Sequence, residues 1–290
     1  MAIYNLGSVN IDHFYTLPHF PEPGETLSAV SHSIGLGGKG MNQSVAAAKA
    51  GAEVFHIGAI GQSDTWVRER IETHGVNCQF LRDVDGTTGH AIIYLDASAE
   101  NMIVLEPGAN VRQDGEFVVA AIDNAKPSDT LLLQNETNLQ AHAASFALVK
   151  GMRVIYSAAP FSAMAVKELL PDVSMLVMNE VEAAQLCEAL SVTLEQIPAP
   201  QIIVTQGSKG AMWRSNETGE VIEVTSTKVT PVDTTAAGDT FIGYVAAGLD
   251  LGMKIKDAME WAAKAAALKV TRAGTADAIP TADEVAGFQI

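Results

Sequence analysis

What most constrains the fold of this chain is a recurrence: short, almost wholly apolar runs bounded by turn residues, with helix-length stretches between them. Such runs lack the polar and apolar alternation of a half-exposed sheet, so both faces of each strand have to be covered, and crossover helices supply the cover. Residues 3–6, 54–57, 130–133, 153–156, 175–177 and 202–205 read as these buried strands. Helical stretches at 41–50, 65–74 and 141–150 stop at Gly51, Gly75 and Gly151, where glycine is the usual helix terminator. Two Ala-rich helices are expected near the C-terminus, at 240–251 and 255–270. The pattern predicts an α/β fold around a mostly parallel sheet.

Two segments break the rhythm. Residues 26–36 and 89–106 read as strands with no helix between them, which suits a small antiparallel sheet lying over the main one as a lid. No linker or low-complexity stretch interrupts the chain, so one domain over 1–290 is expected, with the lid built from segments 12–36 and 88–106. Charge narrows the partners. Eighteen Lys and Arg against 34 Asp and Glu leave a formal charge of −16, which disfavours nucleic acid and anionic membrane. Cys78 and Cys187 stand at no metal-ligand spacing and read as reduced thiols. With no basic, apolar leader and no membrane-length apolar run, the expected location is cytoplasmic. The seven histidines form no metal or triad pattern.

Three segments carry chemistry. Gly35-Leu36-Gly37-Gly38-Lys39-Gly40-Met41-Asn42-Gln43 is a glycine-dense loop entering a helix, but it is neither a Walker A loop nor a Rossmann fingerprint. Lys39 and Asn42 within it carry donors suited to hydroxyl groups. In the second segment, residues 232–241, the small residues Ala236, Ala237 and Gly238 free backbone N–H groups at a helix start, the makings of an anion hole. Asp239 beside them reads either as a base taking a proton from an attacking hydroxyl or as a helix cap, and Asp233 as a turn former or a cation ligand. The third segment follows the first strand, where Asn10 and Asp12 suit either sugar hydroxyls or an Asx-type turn. Glu136, beyond the strand at 130–133, is equally open. Asn179 and Glu182 can begin a helix or face phosphate and hydrated Mg²⁺.

Taken in order along the chain, these segments resemble the PfkB family of carbohydrate kinases, on its ribokinase side. The likeness is carried by Asn10 to His13, Pro23-Gly24-Glu25-Thr26, Gly37-Gly38-Lys39-Gly40 with Asn42-Gln43, Asn179 with Glu182, Thr205-Gln206-Gly207-Ser208-Lys209-Gly210, Asp233 to Phe241 and Val270 to Gly274. It implies a ribokinase-like three-layer α/β fold with a β-sheet lid, and phosphoryl transfer from ATP to ribose, giving ribose 5-phosphate. By the same resemblance, Asn10, Asp12, Gly38, Lys39, Asn42 and Glu136 would bind sugar, and Asp239 would be the base above an anion hole of Ala236, Ala237 and Gly238. Asn179, Thr205, Gly207, Gly210 and Gly238 would line the nucleotide, with Glu182 holding Mg²⁺ through water. Asp233, Thr235 and Gly274 would hold a potassium ion, and the lid would pair two copies as a homodimer. Another furanose, a keto-sugar acid or a nucleoside are the rival substrates, and a sugar sensor without turnover the rival class. The chain departs from the family at Ala278, where a serine is common, at Ser157, where asparagine is common, and in a short 187–201 segment.

Overall fold

The computed structural model describes residues 1–96 and 101–289. The chain opens with β1 (Ala2–Leu6), β2 (Asn10–Thr16), β3 (Ser31–Gly37), α1 (Lys39–Lys49), β4 (Glu53–Gly61), α2 (Thr65–Thr73) and β5 (Leu81–Val84). Next come β6 (Gly89–Leu95), β7 (Asn101–Glu106), α3 (Gly115–Asp123), β8 (Thr130–Leu133), α4 (Gln140–Val149), β9 (Arg153–Ser157) and α5 (Ala163–Leu169). After these run β10 (Met175–Asn179), α6 (Glu180–Leu190), β11 (Gln201–Thr205), β12 (Ala211–Ser215) and β13 (Val221–Val224). The helices α7 (Ala237–Asp250), α8 (Ile255–Lys269) and α9 (Ala282–Gly287) complete the chain.

Nine strands form the main sheet in the order β13-β12-β11-β10-β9-β8-β1-β4-β5. All pairs are parallel except β11 with β12 and β12 with β13. The expected apolar runs are its interior strands, and their residues divide by alternation between two cores. Ile3, Leu132, Ile155, Val177 and Ile203 face the core beneath α1, α7 and α8, while Tyr4, Leu131, Val154, Leu176 and Ile202 face the one covered by α3 to α6. That gives three layers. The C-caps Ala50, His74 and Lys150 directly precede Gly51, Gly75 and Gly151, so the expected helix stops hold. Among the described residues no helix is long and apolar enough to cross a membrane.

The second sheet has four strands in the order β3-β2-β6-β7. The lid segments therefore do form a sheet of their own, but not the antiparallel one expected: β3 with β2 and β6 with β7 are antiparallel, whereas β2 and β6, the central pair, run parallel because the chain leaves the sheet for α1, β4, α2 and β5 between β3 and β6. Two further corrections apply. The strand expected at 26–36 begins only at Ser31, and Asn10 and Asp12 lie in β2, paired with Gly37 and Gly35, rather than in a turn. Residues 97–100 of the expected lid segment, and Ile290, lie outside the described residues. A further correction concerns α7, which starts at Ala237 and not at 240, because Ala236 at φ 58° turns the chain into the helix and the first turn is already helical at Gly238.

β1 is flanked by β4 on one side and β8 on the other, so the connections leaving β1 and β8 diverge. Ligands of open α/β sheets sit in such a crevice, beyond the carboxyl ends of the strands.

Candidate active site

The crevice is built from strand ends. Ser157, Asn179 and Thr205 are the last residues of β9, β10 and β11, and all three line one cavity of about 200 Å³ with Lys39, Glu182, Ala236, Ala237, Gly238 and Asp239. A larger cavity of about 610 Å³ shares Thr205, Thr234, Ala237 and Gly238 with it. Gly207, Gly210, Phe241, Ala263, Ala266 and Ala267 are among its other walls, which are thus largely apolar and made of small residues. On the lid side a third cavity, about 230 Å³, is lined by Asn10, Asn110, Glu136 and the lid residues Leu105 and Glu106.

Asp239 lines the first of these cavities. It is the third residue of α7 and does not cap it, since Ala236 holds the cap position and no side chain caps that helix. Its carboxylate instead accepts from Asn42 Nδ2 at 3.1 Å and from Gln43 Nε2 at 3.0 Å, both on α1. The residue is partly open to the cavity, yet the surrounding protein desolvates the carboxylate and raises its pKa, while Lys39 and the two amides pull against that rise. Lys39 shows the opposite balance. Burial alone would lower its pKa, but Asp239, Glu136, Glu182 and Asp12 outweigh that, and the ammonium is held above its usual value. The site therefore sets one lysine among four acidic side chains.

Glu136 ties the glycine loop to the loop after β1: its Oε2 accepts from Ser8 Oγ at 2.5 Å and from Lys39 N–H at 2.8 Å. Asn10 Oδ1 accepts from Asn110 Nδ2 at 2.8 Å. Asp12 lies against Gly37, where a Cβ would fall 1.9 Å from Asp12 Oδ2, so this position of the loop has to be glycine for the carboxylate to fit. Burial pushes the Asp12 carboxyl up to about 7, opposed by the Thr275 hydroxyl, with Glu136 adding to the rise and Lys39 reducing it. Asn42 Oδ1 is buried without a partner, an acceptor left over for a ligand hydroxyl.

The backbone at the start of α7 only partly matches the expected anion hole. Ala237 N–H is already donated to Thr234 O at 3.2 Å, which closes the turn. The N–H groups of Ala236, Gly238 and Asp239 have no protein acceptor among the described residues, and open space lies over Gly238. Donors at a helix start, with the dipole behind them, suit an anion.

Asn179 and Glu182 satisfy the structural reading and remain at the cavity. They form a capping box, Glu182 Oε2 accepting from Asn179 N–H and Asn179 Oδ1 from Glu182 N–H, each at 2.8 Å. This leaves Asn179 Nδ2 and Glu182 Oε1 for a ligand. Asp233, Thr235 and Gly274 come together outside the three cavities, Asp233 Oδ1 accepting from Thr235 N–H and Oδ2 from Gly274 N–H, each at 2.9 Å. Hydrogen bonds from Thr235 and Gly274, with help from Lys269, hold the Asp233 carboxyl below its usual value against the desolvation that would raise it.

Several participants were not singled out by the sequence. Gln43 braces Asp239 and is itself fixed by Gln134 Nε2 at 2.7 Å. Ser8 and Asn110 hold Glu136 and Asn10. Gln43 alone had a signal, its place one residue beyond Asn42 in the glycine loop.

A fold with diverging loops over parallel strand ends, an apolar cavity beside a small polar one, and a carboxylate at a helix start defines a group-transfer enzyme. A model of the family described as pfkB family carbohydrate kinase matches residues 3–282, and the chain belongs to that family. It is a phosphotransferase acting on a sugar hydroxyl. Among curated proteins it is similar to ribokinase of Schizosaccharomyces pombe, 35% identical over 97% of this chain and 96% of the relative. It is likewise similar to deoxyribokinase of Salmonella typhi, 33% identical over 98% and 97%. Among solved structures it resembles ribokinase of Cryptococcus neoformans in complex with ADP, with TM-score 0.84 and 32% identity over 99% of both chains. It also resembles Arabidopsis thaliana ribokinase complexed with ribose and ATP, with TM-score 0.85 and 26% identity over 99% of this chain and 97% of the other.

Proposed function

We propose that this sugar kinase is an ATP-dependent ribokinase, transferring the γ-phosphoryl group to D-ribose to give D-ribose 5-phosphate. The observation that carries the reading is the desolvated Asp239 carboxylate at the cavity wall, braced by Asn42 and Gln43 on the sugar side and standing one residue beyond the free N–H of Gly238 on the phosphate side. Asp239 takes the proton from the attacking hydroxyl as its oxygen gains charge. Asn10, Asp12, Gly38, Lys39, Asn42 and Glu136 bind the sugar, and the partnerless Asn42 Oδ1 accepts from one of its hydroxyls. The N–H groups of Ala236 and Gly238, with Ala237 closing the turn, stabilise the phosphoryl group as it passes to the sugar oxygen and ADP departs. Thr205, Gly207, Gly210 and Asn179 flank the nucleotide, whose base suits the larger, apolar cavity.

The donor set fits a hydrated Mg²⁺, a hard cation that keeps most of its waters and leans on one carboxylate, because Glu182 retains a free oxygen beside the small cavity. When bound it neutralises phosphate charge. Segments 12–36 and 88–106 close over the sugar as part of one catalytic domain spanning 1–290. The free thiols Cys78 and Cys187 suit a reducing, cytoplasmic setting.

Initial rates of ADP release with D-ribose, 2-deoxyribose, fructose and adenosine test the substrate. Ribose is expected to give the highest kcat/KM, by about ten- to a hundredfold over 2-deoxyribose, the size of one buried polar group left unpaired. A higher value for any of the other three would overturn the assignment. Because one similar protein is a deoxyribokinase, the 2-deoxyribose arm is the discriminating one.

The lid also points to self-association. β3 and β7 are its unpaired edges, and Val30, Ile34, Met102, Ile103, Val104 and Leu105 on it are all exposed. Bare edges with apolar side chains favour pairing with another copy, and a homodimer through the lid follows. Sedimentation equilibrium at micromolar concentration is expected to give twice the chain mass. A fully active monomer would refute it.

A further inference from the structure

The junction of the 233–238 loop with the segment after α8 is where the family resemblance implies a potassium ion, and the oxygens present there do not fit one. Both carboxylate oxygens of Asp233 accept from loop N–H groups. A fixed positive charge already lies against Asp233. Lys269, the last residue of α8, has a side chain with no exposed surface, and its Nζ donates to Asp233 O at 3.1 Å and lies 3.9 Å from Asp233 Oδ2. On the other flank Lys49 Nζ donates to Ile279 O at 2.6 Å and approaches Asp277 O at 3.4 Å and Ala276 O at 3.5 Å. Ala278, in the same segment, offers no side-chain oxygen.

We propose that Lys269 is a built-in replacement for the monovalent cation, a positioning residue whose ammonium fixes the loop leading into α7 and makes turnover independent of potassium. The reasoning is electrostatic. Burial pulls the Lys269 pKa below the usual lysine value, and the charges of Asp233 and, further off, Asp239 oppose that pull, with the Asp233 carbonyl at 3.1 Å accepting from the ammonium. A free cation on the same oxygens would stand beside a like charge and compete with it for the Asp233 carboxylate. A tethered ammonium has no such rival and needs no binding equilibrium. What it holds is the turn through Thr234, Thr235 and Ala236, on which the free N–H groups of Gly238 and Asp239 depend.

The rate arm of the test rests on the kinase reading, so a second readout is included that does not. Initial rates and melting temperature are measured for the parent chain in chlorides of potassium, sodium and tetramethylammonium at equal ionic strength. The parent is expected to turn over at rates within about twofold in all three, with no melting shift specific to potassium, as binding linkage requires of a protein without a site. Lys269→Ala vacates the ammonium position. Its rate is expected to fall about a hundredfold in tetramethylammonium, as misplacement at a reacting centre does, and to recover at least about tenfold in potassium, with a potassium-specific rise in melting temperature. Recovery by an added cation separates a charge role from simple loss of packing. A parent stimulated more than about fivefold by potassium, with a saturable rise in its melting temperature, would overturn the proposal, as would a folded variant indifferent to salt. Should the variant not fold, the parent's salt series decides alone. Should ribose prove not to be the substrate, the melting series still decides.

Discussion

Asp239→Asn is expected to lower kcat by about two to four powers of ten while KM for sugar and ATP stays within a few-fold, the pattern of a lost general base. The substitution preserves shape, and the surrounding hydrogen bonds can absorb it. Gln43 cannot turn over cheaply, because its oxygen accepts from Gln134. Asn42 can in the free enzyme, because its Oδ1 has no protein partner among the described residues, and turning it back toward a sugar hydroxyl costs about 1 kcal/mol, which is the few-fold rise in KM for sugar. The fold should therefore survive, with a change in stability of about 1 kcal/mol or less. What the amide cannot do is accept a proton as charge builds on the attacking oxygen. A pH profile adds a separate readout. Burial raises the Asp239 pKa, so in the parent kcat at saturating sugar should fall as pH drops through a value above the ordinary carboxylate range, and that limb should be missing from the variant, whereas Asp12, pushed up to about 7, shapes kcat/KM in both. Near-normal turnover in a folded variant would remove Asp239 from the chemistry.

The second large effect is expected at the helix contact one turn beyond Asp239. Gly243 lies in α7 against α1, and a Cβ there would fall 2.5 Å from Ala46 Cβ and 2.6 Å from Gln43 O. For an ordinary helix interior, Gly→Ala stabilises by about 0.5–1 kcal/mol. Here overpacking between two rigid helices costs about 1–3 kcal/mol and wins. Gly243→Ala is accordingly expected to destabilise the protein by about 1–2 kcal/mol in denaturant titration. It should also reduce kcat by about ten- to a hundredfold, because it pushes apart the two helices that carry Asp239 and its braces, Asn42 and Gln43. Gly115→Ala, at the start of α3 with nothing near its Cβ position, is the control and should be neutral or slightly stabilising. If Gly243→Ala matched the control in both stability and turnover, the close approach of α1 and α7 would not be what positions the base.

The elements that the amino-acid order determined by itself are those with a local cause. Apolar runs such as 130–133 specify strands buried on both faces, Gly51, Gly75 and Gly151 end helices, and the glycine-rich stretches around Lys39 and Asp239 stand out because backbone approach needs small residues. The weaker local signals were misplaced by a few residues: 26–30 lacks the strand its composition suggested, and α7 begins early because Ala236 takes a left-handed turn that alanine does not advertise. Partner choice had no local signal. Asp239 meets Asn42 across 197 positions and Glu136 meets Lys39 across 97, contacts that exist only because β8 and β1 are neighbours and α7 packs on α1. Lys269 is the sharpest case. In sequence it is one lysine near the end of an Ala-rich helix, and nothing around it separates it from a solvated one. Only the packing of α8, which leaves its ammonium no exit to water and one carboxylate within reach, decides that it is buried and which charge it answers.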